Sequence, residues 1–284
     1  MIDSTPVGAP IQKKRAGMFG AYLIFTVAAA LAAAGLQLYL LLTDYDFTLG
    51  LYKSGSSLPT VLAALLVAAT AVLLTLILTG RKYKMSDALP PVGRGLTFIS
   101  ALTGFAMIGT VVMQLMLGLK YKMMFEGWKS ALATGLEVCL LAFALPSALY
   151  FIVMALRRDP YQRSTAALGF FPVLWAAAHL MCVYFDASTT FNNPLRILEQ
   201  AALIAVMLFF LMELRYLIGR AKPLLYLAFG MITLLLIAAS SLPTFIMILL
   251  MKMDLSVDTI YDAAKLCMAM YIAARLVGVI RARE

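Results

Sequence analysis

Eight long apolar runs, at 17–43, 60–80, 95–118, 130–156, 166–185, 197–218, 224–251 and 261–280, are joined only by short polar segments. A helix needs about 20 apolar residues to cross the hydrocarbon core of a bilayer, and every run meets or approaches that length. Lipid offers no partner to backbone N–H and C=O groups, so such a chain must pair them internally, as helices do. The expectation is an all-α fold, a polytopic bundle of eight transmembrane helices. None of the joining segments is long enough for a soluble domain. One transmembrane domain is therefore expected over 17–280, with an N-terminal tail at 1–16 and a C-terminal tail at 281–284.

Composition agrees with that reading. The chain is 63% hydrophobic and 13% charged, against about 25% charged residues in an ordinary soluble domain. A soluble core would show amphipathic or alternating patterns rather than runs that are apolar all round. The basic stretch Lys13-Lys14-Arg15 precedes an apolar run from Met18 to Leu42. The apolar region of a signal peptide is only about 7–15 residues long, so this run reads as an uncleaved first span.

The net charge of +9 is unevenly placed. Of 23 Lys and Arg, 15 lie on the two tails and on the segments after the second, fourth and sixth runs. Six lie on the alternate segments, and Lys265 and Arg275 lie within the last run. Basic residues concentrate on the cytoplasmic side of membrane proteins. Both termini are therefore expected in the cytoplasm, in a multi-pass protein of a cell membrane of the bacterial cytoplasmic type. Charges so placed attract anionic lipid head groups at about 1 kcal/mol each. A nucleic-acid partner would need a continuous basic face, and the charge here is divided among short segments.

Two of the alternate segments carry aromatics suited to the head-group region: Tyr45, Phe47 and Tyr52 in 44–59, and Tyr121, Phe125 and Trp128 in 119–129. Prolines interrupt three runs, at Pro146, Pro172 and Pro243. A kink or local unwinding is expected at Ser240–Thr244, around Pro243, because proline frees a helix carbonyl.

Ionisable residues inside a span are costly and usually face the interior of the bundle. At about 1.5 Å of rise per residue, Glu137 and His179 both lie about 10 Å below the outer surface. Glu199, Gln200, Asp262 and Lys265 begin their runs from that same side, and Gln37 and Gln114 end theirs there. Two readings follow. In one, Glu137, His179, Glu199 and Lys265 form an outward-facing polar pocket that binds a polar or charged ligand or relays a proton. In the other, Glu199 and Asp262 cap the first turns of their helices and Lys265 snorkels. Toward the inner side, Glu213 and Arg275 are placed to clamp the sixth and eighth runs as a structural ion pair.

A single histidine, His179, rules out the paired-histidine zinc and haem patterns. Cys139, Cys182 and Cys267 all lie inside runs and read as packing residues. Neither a Gly-x-Ser-x-Gly elbow nor a phosphate loop is present. The sequence therefore assigns no catalytic residue, no metal and no cofactor. The function expected is non-enzymatic solute handling, as in a transporter or permease. The alternative is an accessory or sensory membrane subunit that acts through a partner protein, for which the small-residue face from Ala28 to Gly35 offers a close-packing surface.

Overall fold

The computed structural model describes residues 9–46, 49–53, 55–83, 85–86, 88–120, 128–157, 163–186, 192–250 and 257–281. Residues 1–8, Phe47, Tyr121, Phe125 and 282–284, on which the sequence placed a tail or interfacial role, lie outside them. The chain forms α1 (Ala9–Thr43), a short hairpin of β1 (Tyr45–Asp46) and β2 (Leu51–Tyr52), α2 (Leu58–Thr79), α3 (Arg94–Lys120), α4 (Trp128–Leu156), α5 (Arg163–Leu168), α6 (Phe171–Phe185), α7 (Pro194–Leu217), α8 (Pro223–Leu249) and α9 (Val257–Arg281).

Eight of these helical segments are long and apolar enough to cross a membrane. An even number of crossings brings the start of the first span and the end of the last to one face of the bundle, the terminal face. The β1–β2 hairpin lies on the other, the hairpin face. Helix packing follows a closed circuit: α3 on α4, α4 on α6, α6 on α7, α7 on α8, α8 on α9, and α9 back on α3. Helices α1 and α2 pack on each other and on α8, outside that ring. Most of the buried polar residues among those described belong to the helices of that ring.

Apolar surface gives helices no reason to associate inside lipid, so close approach and short polar links hold them together. Ser100 donates from α3 to the carbonyl of Phe151 on α4 at 2.8 Å. Thr103 donates to that of Cys267 on α9 at 3.0 Å. Thr233 ties α8 to the carbonyl of Ala205 on α7 at 2.9 Å. Gly104 permits the tightest α3–α4 contact: a Cβ there would stand 2.8 Å from Cγ1 of Ile152 and 3.2 Å from the carbonyl oxygen of Ala148.

The fifth span is built in two pieces, with α5 ending at a turn over Gly169 and Phe170 before α6 begins. Gly169 donates to the carbonyl of Thr165 at 2.8 Å. Pro172 then occupies the first turn of α6, where its missing N–H costs nothing. By contrast, α8 stays helical through Pro243, where the hydroxyl of Thr244 donates to the carbonyl of Ser240 at 3.2 Å. The local unwinding expected at Pro243 thus occurs at Gly169 instead, where a glycine and a proline fall within one turn of each other.

The hairpin closes the ends of α1 and α7. Tyr45 and Tyr52 face each other across it, with ring centroids 5.5 Å apart. Tyr45 donates to Oδ1 of Asn193 at 3.3 Å, and Tyr52 to Oε1 of Gln37 at 3.0 Å. Burial raises the Tyr52 phenol above its ordinary value, which keeps it a donor.

The Gly104 contact yields a test. Overpacking a tight contact costs about 1–3 kcal/mol. Gly104→Ala should therefore lower the thermal midpoint of the purified protein in detergent. Gly109→Ala, on the same helix with nothing within 4 Å, should leave the midpoint unchanged or raise it.

Candidate functional site

Helices α6, α7 and α9 each place an ionisable residue at one depth inside the ring. Counting about 1.5 Å per residue from the hairpin-face ends of their spans, His179, Glu199 and Lys265 lie about 7–9 Å in. The Nζ of Lys265 lies 2.6 Å from Oε1 of Glu199 and 2.9 Å from Oδ1 of Asp262. The Nε2 of His179 stands 3.6 Å from the same Glu199 oxygen. Lys265, His179 and Asp262 are buried, whereas the Glu199 side chain is 28% exposed. Glu199 is therefore the least enclosed member of the network.

Aromatic and amide groups enclose this network. The Tyr261 ring lies 4.7 Å from that of His179, and its hydroxyl donates to Oε1 of Gln114 on α3 at 2.5 Å. Trp175, one turn before His179, has its ring 5.3 Å away. Nε1 of Trp175 and Nδ1 of His179 are buried without a hydrogen-bond partner. Uncompensated polar atoms in a membrane interior carry a desolvation cost of about 1–3 kcal/mol each, so they mark a place where a polar occupant would be stabilised.

The capping alternative for the two acids does not describe them. Asn193 caps α7, accepting from the N–H of Leu195 at 2.9 Å, and Glu199 stands in the second turn. Asp262 is likewise past the first turn of α9 and is spent on Lys265. Lys265 is held inside the ring and does not snorkel. Glu137, expected in the same pocket, stands apart from it. It is exposed on α4 next to exposed Val138 and Cys139, at the seam with Cys182 of α6. Counting residues along a helix sets depth but not azimuth, and the buried stripe of α4 runs through Leu140, Ala144, Ala148 and Phe151 instead.

A second buried network lies toward the terminal face. Nε of Arg275 is 3.0 Å from Oε1 of Glu213, and the same Nε donates to the hydroxyl of Tyr271 at 3.0 Å. Tyr271 in turn donates to Glu213 at 2.8 Å. The guanidinium also sits over the Tyr271 ring, 5.4 Å from its centroid. Both charged residues are fully enclosed. Between the two networks Phe210 stacks on Tyr271 and meets Phe151 edge-on. Ten residues of α9 separate Lys265 from Arg275, about 15 Å along the axis.

A groove of about 560 Å³ lies elsewhere on the bundle. It lies at the terminal face between the start of α3 and the end of α9, lined by Pro90, Pro91, Ile99, Met270, Ala274 and Gly278 among others. Among the described residues, no three His, Cys, Asp or Glu side chains come together as a metal site.

The aromatic partners were not singled out from the sequence, although a signal for them exists. Trp175–His179, Tyr261–Lys265 and Tyr271–Arg275 are all spaced i, i+4, which puts each aromatic one turn before the buried polar residue on the same helix face. No family model matches the chain, and no curated protein or solved structure matches it.

Removing one partner of a buried ion pair costs about 3–5 kcal/mol, because the other charge is stranded. Arg275→Met should accordingly lower the thermal midpoint sharply. Adding Glu213→Leu to it should recover most of the loss, as read by unfolding of both variants in the same detergent.

Proposed function

We propose that this integral membrane protein handles a small polar or charged solute at the network of His179, Glu199, Asp262 and Lys265. The observation that carries the reading is convergence: three helices bring four ionisable residues into one contact network. A clamp between two helices needs one acid and one base, as Glu213 and Arg275 illustrate. Here two acids meet one lysine and a histidine. Trp175 Nε1 and His179 Nδ1 are buried polar atoms that a polar guest would satisfy, and Glu199 is the least enclosed of the four residues. The bias of basic residues toward the terminal face orients the opening away from the cytoplasm. The protein works here without covalent chemistry, by binding and by movement of its helices.

A second reading has one observation behind it. Glu137 is exposed within a span, and a carboxylate facing lipid is costly. A partner membrane protein bearing a complementary cation would cover it, as an accessory subunit requires.

One experiment separates the two. Purified protein is screened by thermal shift against millimolar amino acids, carboxylates, polyamines and sugars. Under the solute-handling reading, one class raises the midpoint of the wild type and fails to do so for Lys265→Met and Glu199→Gln. If no class stabilises the protein and a second chain co-purifies with it, dependent on Glu137, the subunit reading replaces it.

A further inference from the structure

We infer that the hairpin-face network holds one exchangeable proton, carried by the His179 imidazole against Glu199. The argument begins with charge. Glu199 and Asp262 bring two negative charges, and Lys265 brings one positive charge within 2.9 Å of both. With a neutral imidazole the network, three of whose four members are buried, keeps one unmatched negative charge, and an unmatched charge inside a membrane protein is disfavoured. A proton on His179 balances the count.

The groups facing His179 from every side fit that role. From α7, Glu199 lies 3.6 Å away, within ion-pair reach. From α9, Tyr261 presents its ring at 4.7 Å and Lys265 sits on the far side of Glu199. On α6 itself, Trp175 flanks the imidazole at 5.3 Å. Aromatic faces attract a cation, so two of the neighbours favour the charged ring. From α4, Glu137 and Cys139 are exposed at the outer seam rather than inside the ring. From α8, Ser241 lies beside Asp262 and brings no charge. At the helix ends, Asp186 and Arg196 carry opposite charges, and Arg196 donates to the carbonyl oxygen of Tyr184. Among the described residues, Lys265 is thus the base in contact with both acids, and it is already shared between them.

Exchange has a route. His179 is only 3% exposed, but the Glu199 oxygen facing it belongs to a side chain that is 28% exposed. A proton enters on the Glu199 carboxylate, passes to Nε2 of His179 and leaves by the same steps in reverse, with no bond broken other than O–H and N–H. Loss of the proton leaves the two acids competing for Lys265, so the packing of α6, α7 and α9 becomes sensitive to the proton. The inference rests on the solute-handling reading for its purpose, as the coupling step of that process, and not for its chemistry.

The chain has one histidine, so ¹⁵N-histidine labelling yields a single imidazole. Its NMR signal is recorded for the whole protein in lipid nanodiscs between about pH 5 and pH 8. The expected result is an imidazolium pattern at the acid end that converts to neutral across the range. That pattern should be lost in Glu199→Gln and retained in Glu199→Asp. Fluorescence gives an independent readout, because the two tryptophans are Trp128 and Trp175. In Trp128→Phe protein, emission from Trp175 should fall as the adjacent imidazole becomes charged. A neutral imidazole at every pH in wild type overturns the inference. So does an imidazolium that persists in a folded Glu199→Gln variant. A titrating His179 in a protein that no solute stabilises would instead keep the proton site and remove the transport role.

Discussion

Lys265 and Arg275 must both be enclosed by protein with their charges compensated, and the arrangement of the ring answers to that demand. They sit ten residues apart on α9, and their acids, Glu199 and Glu213, sit 14 residues apart on α7. Both helices run from the hairpin face to the terminal face, so each base meets an acid at its own level, with side-chain reach taking up the four-residue difference in spacing. Slipping α9 by one turn would strand two bases and at least two acids in a medium where nothing else compensates them. Apolar packing cannot supply that discrimination, because one lipid-like surface slides over another at little cost. Buried ionic groups are weak evidence for stability and better evidence for register, and here two such sets fix one helix against another across the ring.

The space between the two levels is closed by aromatic side chains. Phe151, Phe210 and Tyr271 come from α4, α7 and α9, and meet in edge-on and stacked contacts. These rings separate two polar layers that would otherwise form a continuous hydrophilic path along the axis. Tyr271 belongs to both parts, with its ring in the layer and its hydroxyl in the Glu213–Arg275 network.

The spans were legible because length and hydropathy are properties of contiguous residues. The shared depth of His179, Glu199 and Lys265 was legible for a related reason: rise per residue is constant along a helix. Azimuth is not local. Glu137 has the same depth as His179, yet it lies on the outside of α4, because the facing of a helix in lipid is set by its neighbours and not by its own nearly uniform hydropathy. Tyr271 and Tyr261 went unremarked as tyrosines among many apolar residues, although their i, i+4 spacing to Arg275 and Lys265 was available. The break in the fifth span escaped because Gly169 is required by Tyr150 and Leu217, each of which would crowd a Cβ there at 3.2–3.3 Å. Neither is near it in sequence.

The two networks use the same residue chemistry to opposite ends, and stoichiometry tells them apart. Around Arg275 one base meets one acid, both are sealed, and a tyrosine hydroxyl bridges them. Such a set is charge-neutral on its own, although Oε2 of Glu213 and Nη1 of Arg275 are left without a hydrogen-bond partner, and it ties α7 to α9. Around Lys265 two acids meet one lysine, one of the acids is only partly enclosed, and an imidazole stands 3.6 Å from it. If that network were only a second lock, Asp262 and His179 would be superfluous to it, since Glu199 and Lys265 already pair at 2.6 Å. Their presence adds two desolvated ionisable groups beyond what a lock requires, and a cost of that kind is accounted for by a site whose charge is meant to change.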